Sequence, residues 1–148
     1  MRTFIPSQSS KPDDLWRFIG FPASRGAHLT STLRQGIAIG VVDSIQQWSS
    51  LPKAEILRIA GISQRNYARR RSGDGMFTAD ESECIARFVR VMDAAVQLFE
   101  GHRDKAAQWM THPVRGLGDV APVTLLDTES GALDVLDLIG RLEHGVPS

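Results

Sequence analysis

The chain has 148 residues, of which 42% are hydrophobic, and 17 lysines and arginines balance 17 aspartates and glutamates. At this length folding buries roughly 70% of the surface that the unfolded chain exposes, so one domain or two small ones need no disulfide or metal staple. The single cysteine, Cys84, excludes an internal disulfide. No apolar run approaches the roughly 18 residues of a membrane span, and MRTFIPSQSSKPDD lacks the apolar core of a signal peptide. Together these features predict a reduced, soluble, cytoplasmic protein.

The zero net charge hides an asymmetry. Between Leu51 and Gly75, Lys53, Arg58, Arg65, Arg69, Arg70 and Arg71 face only Glu55 and Asp74, a net charge of +4. From Asp119 onward, Asp119, Asp127, Glu129, Asp134, Asp137 and Glu143 face only Arg141, a net charge of −5. A basic middle and an acidic tail suit different partners, and a zero sum does not exclude nucleic acid.

Residues 1 to 30 are weakly patterned. Pro6, Pro12, Pro22 and SQSSK predict a partly ordered arm carrying one apolar cluster, Leu15 to Phe21, that docks on the rest of the fold or on a second copy. From Ser31 to Gln47, Leu33, Ile37, Val41 and Ile45 recur every four residues, a helical stripe that Gly36 and Gly40 divide into two pieces. Ser50-Leu51-Pro52 reads as a start signal, with Ser50 as the cap. A helix from Lys53 to Ala60 follows, stopped by Gly61, and Ser63 opens another through Arg71. Two short helices around a glycine turn predict a helix-turn-helix, with Ile56, Ala60, Ile62 and Tyr67 inward.

Thr78-Ala-Asp-Glu81 is a capping box opening the longest helix, to about Glu100. Its inward stripe is Cys84 or Ile85, Phe88, Val91 or Met92, Ala95 and Phe99, with Arg87, Arg90 and Asp93 outside. A shorter helix, Asp104 to Met110, carries Trp109. An irregular turn then leads to Asp127-Thr128-Glu129, a cap with a first-turn carboxylate. The last helix is expected to face Leu133, Leu136, Ile139 and Leu142 inward, with Asp134, Asp137 and Arg141 outside. Gly145 stops it, three residues before the end, which predicts a C-terminal carboxylate close to a folded surface. The expected fold class is all-α.

GISQRNYARRRS places four arginines within seven positions. On a helix, Ser63, Gln64, Arg65, Asn66 and Arg69 are candidates for DNA contact, since Arg and Gln bond bidentately to guanine and adenine edges in the major groove. Arg70, Arg71 and Lys53 would then hold phosphates. Composition alone equally allows a solvated arginine helix. This segment resembles the Xre/Cro-type helix-turn-helix family at Ile56, Ala60, Gly61, Ile62 and Tyr67. It departs from that pattern at Leu57, where the family has a small alanine, and at Arg70, where it has an apolar residue.

Catalytic signatures are weak. His28, His102, His112 and His144 are scattered without metal-ligand spacing. Cys84 reads as a core thiol, and GLGDVAP lacks the third glycine of a dinucleotide fingerprint. The expectation is a binding protein with no catalytic residues, no metal and no cofactor.

The run from Ala106 to Ser148 resembles the toxin-binding domain of the Xre/MbcA/ParS antitoxins. The resemblance rests on the Trp109 helix, the Pro113 turn, Leu117-Gly118, Pro122, Leu125-Leu126, the Thr128 cap with Gly131, and Arg141-Leu-Glu-His-Gly145. It implies an antitoxin of a type II toxin–antitoxin pair, whose partner is a RES-domain toxin that consumes NAD. It further implies a homodimer that represses its own operon by binding operator DNA. Residues 31 to 100 would form the helix-turn-helix domain with its long connecting helix, and residues 101 to 148 the toxin-binding domain. The expected toxin contacts are Asp137, Arg141, Glu143, His144, Gly145, Val146, Pro147 and Ser148. A transcription regulator whose C-terminal domain only dimerises or binds a ligand is the other reading that the residues allow.

Overall fold

The structure, a computed structural model, describes residues 11–21 and 24–145. Eight α-helices follow one another among them: α1 (Asp14–Phe18), α2 (Ala27–Gln35), α3 (Val41–Ser49), α4 (Lys53–Ala60), α5 (Gln64–Arg71), α6 (Ala79–Leu98), α7 (Arg103–Met110) and α8 (Glu129–Glu143). Two 3₁₀ turns, Arg115–Leu117 and Pro122–Leu125, bridge α7 to α8. No strand occurs among the described residues; two isolated antiparallel bridges, Ala38 with Met76 and Val114 with Val120, stitch loops together. The fold is all-α.

The helix ends are where local chemistry dictates. Ser63 accepts the Asn66 amide at 3.1 Å and opens α5. Thr78 and Glu81 form the reciprocal capping box of α6, with Glu81 N–H donating to Thr78 Oγ1 at 3.1 Å and Thr78 N–H to Glu81 Oε1 at 2.8 Å. Thr128 accepts the Gly131 amide at 2.9 Å and starts α8. Gly61 closes α4 at φ +79°, a left-handed conformation that costs an L side chain energy. The start signal at Ser50 is different from expectation. α3 runs on through Ser49 and Ser50 ends it at φ 63°, while Pro52 stands at the N-cap of α4, which has no side-chain cap. The neighbouring Ser49 hydroxyl accepts the Leu51 amide instead, at 3.2 Å.

One continuous apolar core joins α1 to α8. Its axis is α6, which buries Ile85, Phe88, Val89, Val91, Met92, Ala95 and Val96 with no solvent exposure. An apolar face this wide must be covered on several sides, and α1, α2, α4, α7 and α8 all pack on it. The polar Ser82 is fully buried here and accepts the Ile37 amide at 3.1 Å, which satisfies both groups. Arg87 and Asp93 do not lie outside as the pattern suggested. The Arg87 side chain is only 17% exposed and its guanidinium donates to the Leu126 carbonyl at 3.3 Å. Asp93 accepts the Asp13 amide at 3.2 Å, and burial pushes its carboxyl above the ordinary range. Cys84 is half-buried, with the Arg87 guanidinium 3.7 Å from its sulfur.

The apolar cluster of the N-terminal segment docks on this same chain. Leu15, Trp16 and Phe21 are buried, Trp16 and Phe21 pack at 5.3 Å between ring centroids, and the Arg90 guanidinium lies over the Trp16 ring at 5.5 Å. Leu15, Trp16 and Phe21 are therefore part of the core, with Phe18 exposed, and α2 already begins at Ala27; residues 1–10, 22 and 23 of the expected arm lie outside the described residues.

Two substitutions probe this frame. Gly61→Ala should lower stability to urea by about 1–2 kcal/mol without changing the fold, because alanine must adopt the left-handed conformation there. Glu81 is a second test, since its carboxylate also receives Arg70 at 2.6 Å. Burial, the largest influence, pushes the Glu81 carboxyl up, but Arg70 and the Thr78 amide outweigh it and leave it below its ordinary 4.5. A carboxylate held low in the folded state stabilises above its unfolded value, and that stability disappears as pH falls through the folded value. Glu81→Gln should therefore be less stable than wild type by about 1.5–3 kcal/mol at pH 7. In urea titrations repeated downward from about pH 4.5, the gap should close.

Candidate functional site

Two surfaces carry the functional residues singled out from the sequence. The first is α5, the second helix of the helix-turn-helix. Ile56, Ala60, Ile62 and Tyr67 are buried as the motif requires, and Leu57 is buried with them at 2% exposure, so the larger residue is accommodated in the core. Outward, Ser63, Gln64, Arg65, Asn66 and Arg69 are exposed. Ser63 has its hydroxyl engaged in the cap, and Arg69 donates to Asn66 Oδ1 at 3.3 Å. Gln64 and Arg65 have no hydrogen-bond or ion-pair partner among the described residues, leaving their donors available.

Arg70 and Arg71 are placed differently. Arg70 is paired with Glu81 and retains 23% of its side-chain surface. It ties the end of α5 to the start of α6, which is why an arginine can stand where the motif has an apolar residue: its charge is neutralised at the rim of the core. Arg71 donates to Asp43 Oδ2 at 2.9 Å, and Lys53 lies 3.3 Å from Asp43 Oδ1. Burial, the largest influence on Asp43, pushes its carboxyl up, but Arg71 and Lys53 outweigh it and hold it below its ordinary value. The same Asp43 raises Arg71. Asp43 also accepts the Tyr67 hydroxyl at 3.3 Å. A single carboxylate on α3 thus braces α4 and α5. No sequence spacing signals these pairings, because their partners are 11 and 28 residues away.

The second surface is α8. Its inward face is Ala132, Val135, Leu138 and Ile139, not the stripe built on Leu133 and Leu136. Leu133 is 50% exposed, while Leu136 and Leu142 are half-buried. The reason is Gly131. A side chain there would collide with the Leu125 carbonyl, so the first turn of α8 sits against the preceding 3₁₀ turn through Gly131 and Ala132. The inward face is thereby turned by roughly 60° from what counting leucines gives, with Ile139 shared by both. Asp134, Asp137, Arg141, Glu143, His144 and Gly145 are exposed as expected. Val146, Pro147 and Ser148 lie outside the described residues.

Two arginines tie α8 to the helix-turn-helix. Arg58 on α4 donates to the Val123 carbonyl at 2.9 Å and to Glu55 at 3.0 Å, with Asp127 at 3.6 Å. Arg87 on α6 holds the Leu126 carbonyl, with Glu129 at 3.5 Å. The turn before α8 is thus gripped at both ends by the other half of the molecule.

Among the described residues no group of three or more His, Cys, Asp or Glu could hold a metal ion, and no helix is long and apolar enough to cross a membrane. Residues 28–90 match the antitoxin Xre-like helix-turn-helix domain, and residues 94–145 match the antitoxin Xre/MbcA/ParS C-terminal toxin-binding domain. The chain is 61% identical over 148 residues to a Photorhabdus laumondii protein named Antitoxin Xre, covering 100% of both chains. It is 58% identical over 146 residues to a Yersinia enterocolitica protein of the same name, covering 99% of each. By these matches the chain belongs to the Xre antitoxin family, whose members are not enzymes.

Proposed function

We propose that the chain is the antitoxin of a type II pair, which binds and neutralises a RES-domain, NAD-consuming toxin encoded by the adjacent gene. In this reading the C-terminal end of α8 and the tail beyond it occupy the toxin's cleft. The chain also acts as a homodimer in the bacterial cytoplasm and represses its own operon through α5. The observation that carries the reading is the coincidence of the toxin-binding match, residues 94–145, with a helix whose outer side is acidic and exposed.

The chemistry is complementary. A cleft that binds NAD needs cationic groups for the pyrophosphate, and Asp137, Glu143 and His144 lie on or beside a segment of net charge −5. Opposite charge speeds encounter, and a rigid helix running up to the contact limits what must be ordered on binding. Arg141 supplies a donor fork within the same turn, and Gly145 stands just past the helix at φ +71°.

For DNA, the side chains that support base reading are Gln64, Arg65 and Arg69, with Ser63 and Asn66 beside them. Arg71 and Lys53 are exposed ion-pair members whose partner a phosphate can replace, and Arg70 has the smaller exposed surface.

Three measurements test this. The RES-domain product of the neighbouring reading frame should co-purify with the chain and lose its NAD-consuming activity; separate elution with full activity rejects the reading. Deleting Val146 to Ser148 should abolish neutralisation while helical circular dichroism is unchanged. Arg65→Ala and Arg69→Ala should each weaken operator binding by about 1–3 kcal/mol in a mobility-shift titration, with toxin capture intact.

A further inference from the structure

α8 holds two glycines, and the fold explains only one. At Gly131 an added Cβ would collide with the Leu125 carbonyl, so glycine is required by packing. At Gly140 an added Cβ meets nothing within 4 Å, and its φ is not in the left-handed region. Glycine is the poorest helix former after proline, and nothing within the chain needs it there.

Gly140 also has a particular position. Leu133, Leu136 or Asp137, Gly140 and His144 follow one another at helical spacing on the side away from Ala132, Val135, Leu138 and Ile139. On that side Leu133 is 50% exposed, and Leu136 flanks it, half-buried with part of its side chain packed on the core. The face is therefore an apolar patch, Leu133 and Leu136, next to a stretch of bare backbone at Gly140. Asp134 and Asp137 are exposed beside it. A position without a side chain on an exposed helix face lets another backbone or a bulky side chain approach closely.

We infer that this outward face, Leu133, Leu136 and Gly140, is a docking surface for the toxin, against an apolar patch rimmed by basic residues that fits over the Gly140 backbone. The inference rests on the antitoxin reading and extends its contact from the tail back along three turns of α8. The toxin is the occupant for two reasons. The face runs on to His144, one of the proposed contacts, within the segment that matches the toxin-binding domain. It is also acidic at its edges, which disfavours a second copy: two-fold pairing about the helix middle would bring Asp137 against its own equivalent.

The experiment measures affinity for the purified RES-domain toxin with the tail intact, for wild type, Gly140→Ala, Gly140→Leu and Leu133→Ser. Gly140→Ala should raise the thermal midpoint by about 2–4 °C, since the space is open and the helix gains. Gly140→Leu and Leu133→Ser should fold, retain operator binding, and lose at least about tenfold in toxin affinity. Toxin affinity unchanged in both variants overturns the inference while leaving the antitoxin reading in place. A drop in mass by light scattering, without loss of toxin affinity, overturns it in favour of a second copy. Absence of binding by wild type rejects the antitoxin reading, and this surface with it.

Discussion

The burial of α6 is the constraint on which the rest of the molecule depends. Its buried residues, from Ser82 and Ile85 to Val96, take up more than one side of the helix and leave only a strip with Asp80, Glu83 and Arg90 to solvent, so it is stable only when covered on several sides. The helix-turn-helix covers it with α2 and α4, the C-terminal segment with α7 and α8, and the N-terminal segment with α1. The two family matches, residues 28–90 and 94–145, meet within this helix. There is no linker between a DNA half and a partner half. Each is completed by the same core, and large-to-small changes at Phe88 or Met92 would cost both, typically by several kcal/mol.

Charge is distributed to opposite ends of that core in different ways. Around α5 the positive charges are partly spent on structure: Asp43 and Glu81 hold Arg71, Lys53 and Arg70, and the residues left outward are fewer than the arginine count suggests. Around α8 the carboxylates of Asp134, Asp137 and Glu143 stay exposed. Exposed pairs contribute little to stability and exchange partners easily, so the Asp43 cluster can release its cations to a phosphate at small cost. The more enclosed Arg70–Glu81 pair, which shares its carboxylate with the α6 cap, cannot.

What could be read from the sequence was local. Ser63, Thr78, Thr128 and Gly61 mark helix ends because each satisfies or relaxes backbone groups within a few residues of itself. The helix-turn-helix core was legible for the same reason, its four inward residues lying on two short helices with a fixed turn. Apart from Ser50, which ends α3 instead of capping α4, the differences arise from contacts beyond the local run. Leu133 was counted inward because leucine is apolar, yet the contact that orients α8 is between Gly131 and the Leu125 carbonyl, invisible to a count of large residues. Arg87 was counted outward because it is charged, yet it reaches a carbonyl 39 positions away. The Leu15 to Phe21 cluster left open whether it docks on its own chain or another, which depends on the shape of α6 and α3.

Arg58 illustrates how small a link between two functions can be. Its guanidinium bridges Glu55, on its own helix, to the Val123 carbonyl in the turn that launches α8, with Asp127 nearby. A partner that pulls on that turn moves a side chain rooted in the first helix of the DNA-reading motif. Were toxin and operator both to bind as proposed, any coupling between them would be reciprocal: what a bound toxin adds to or removes from operator affinity, bound operator would return in equal measure. One arginine, placed where the two halves touch, makes the start of α8 and the first helix of the helix-turn-helix parts of one contact network.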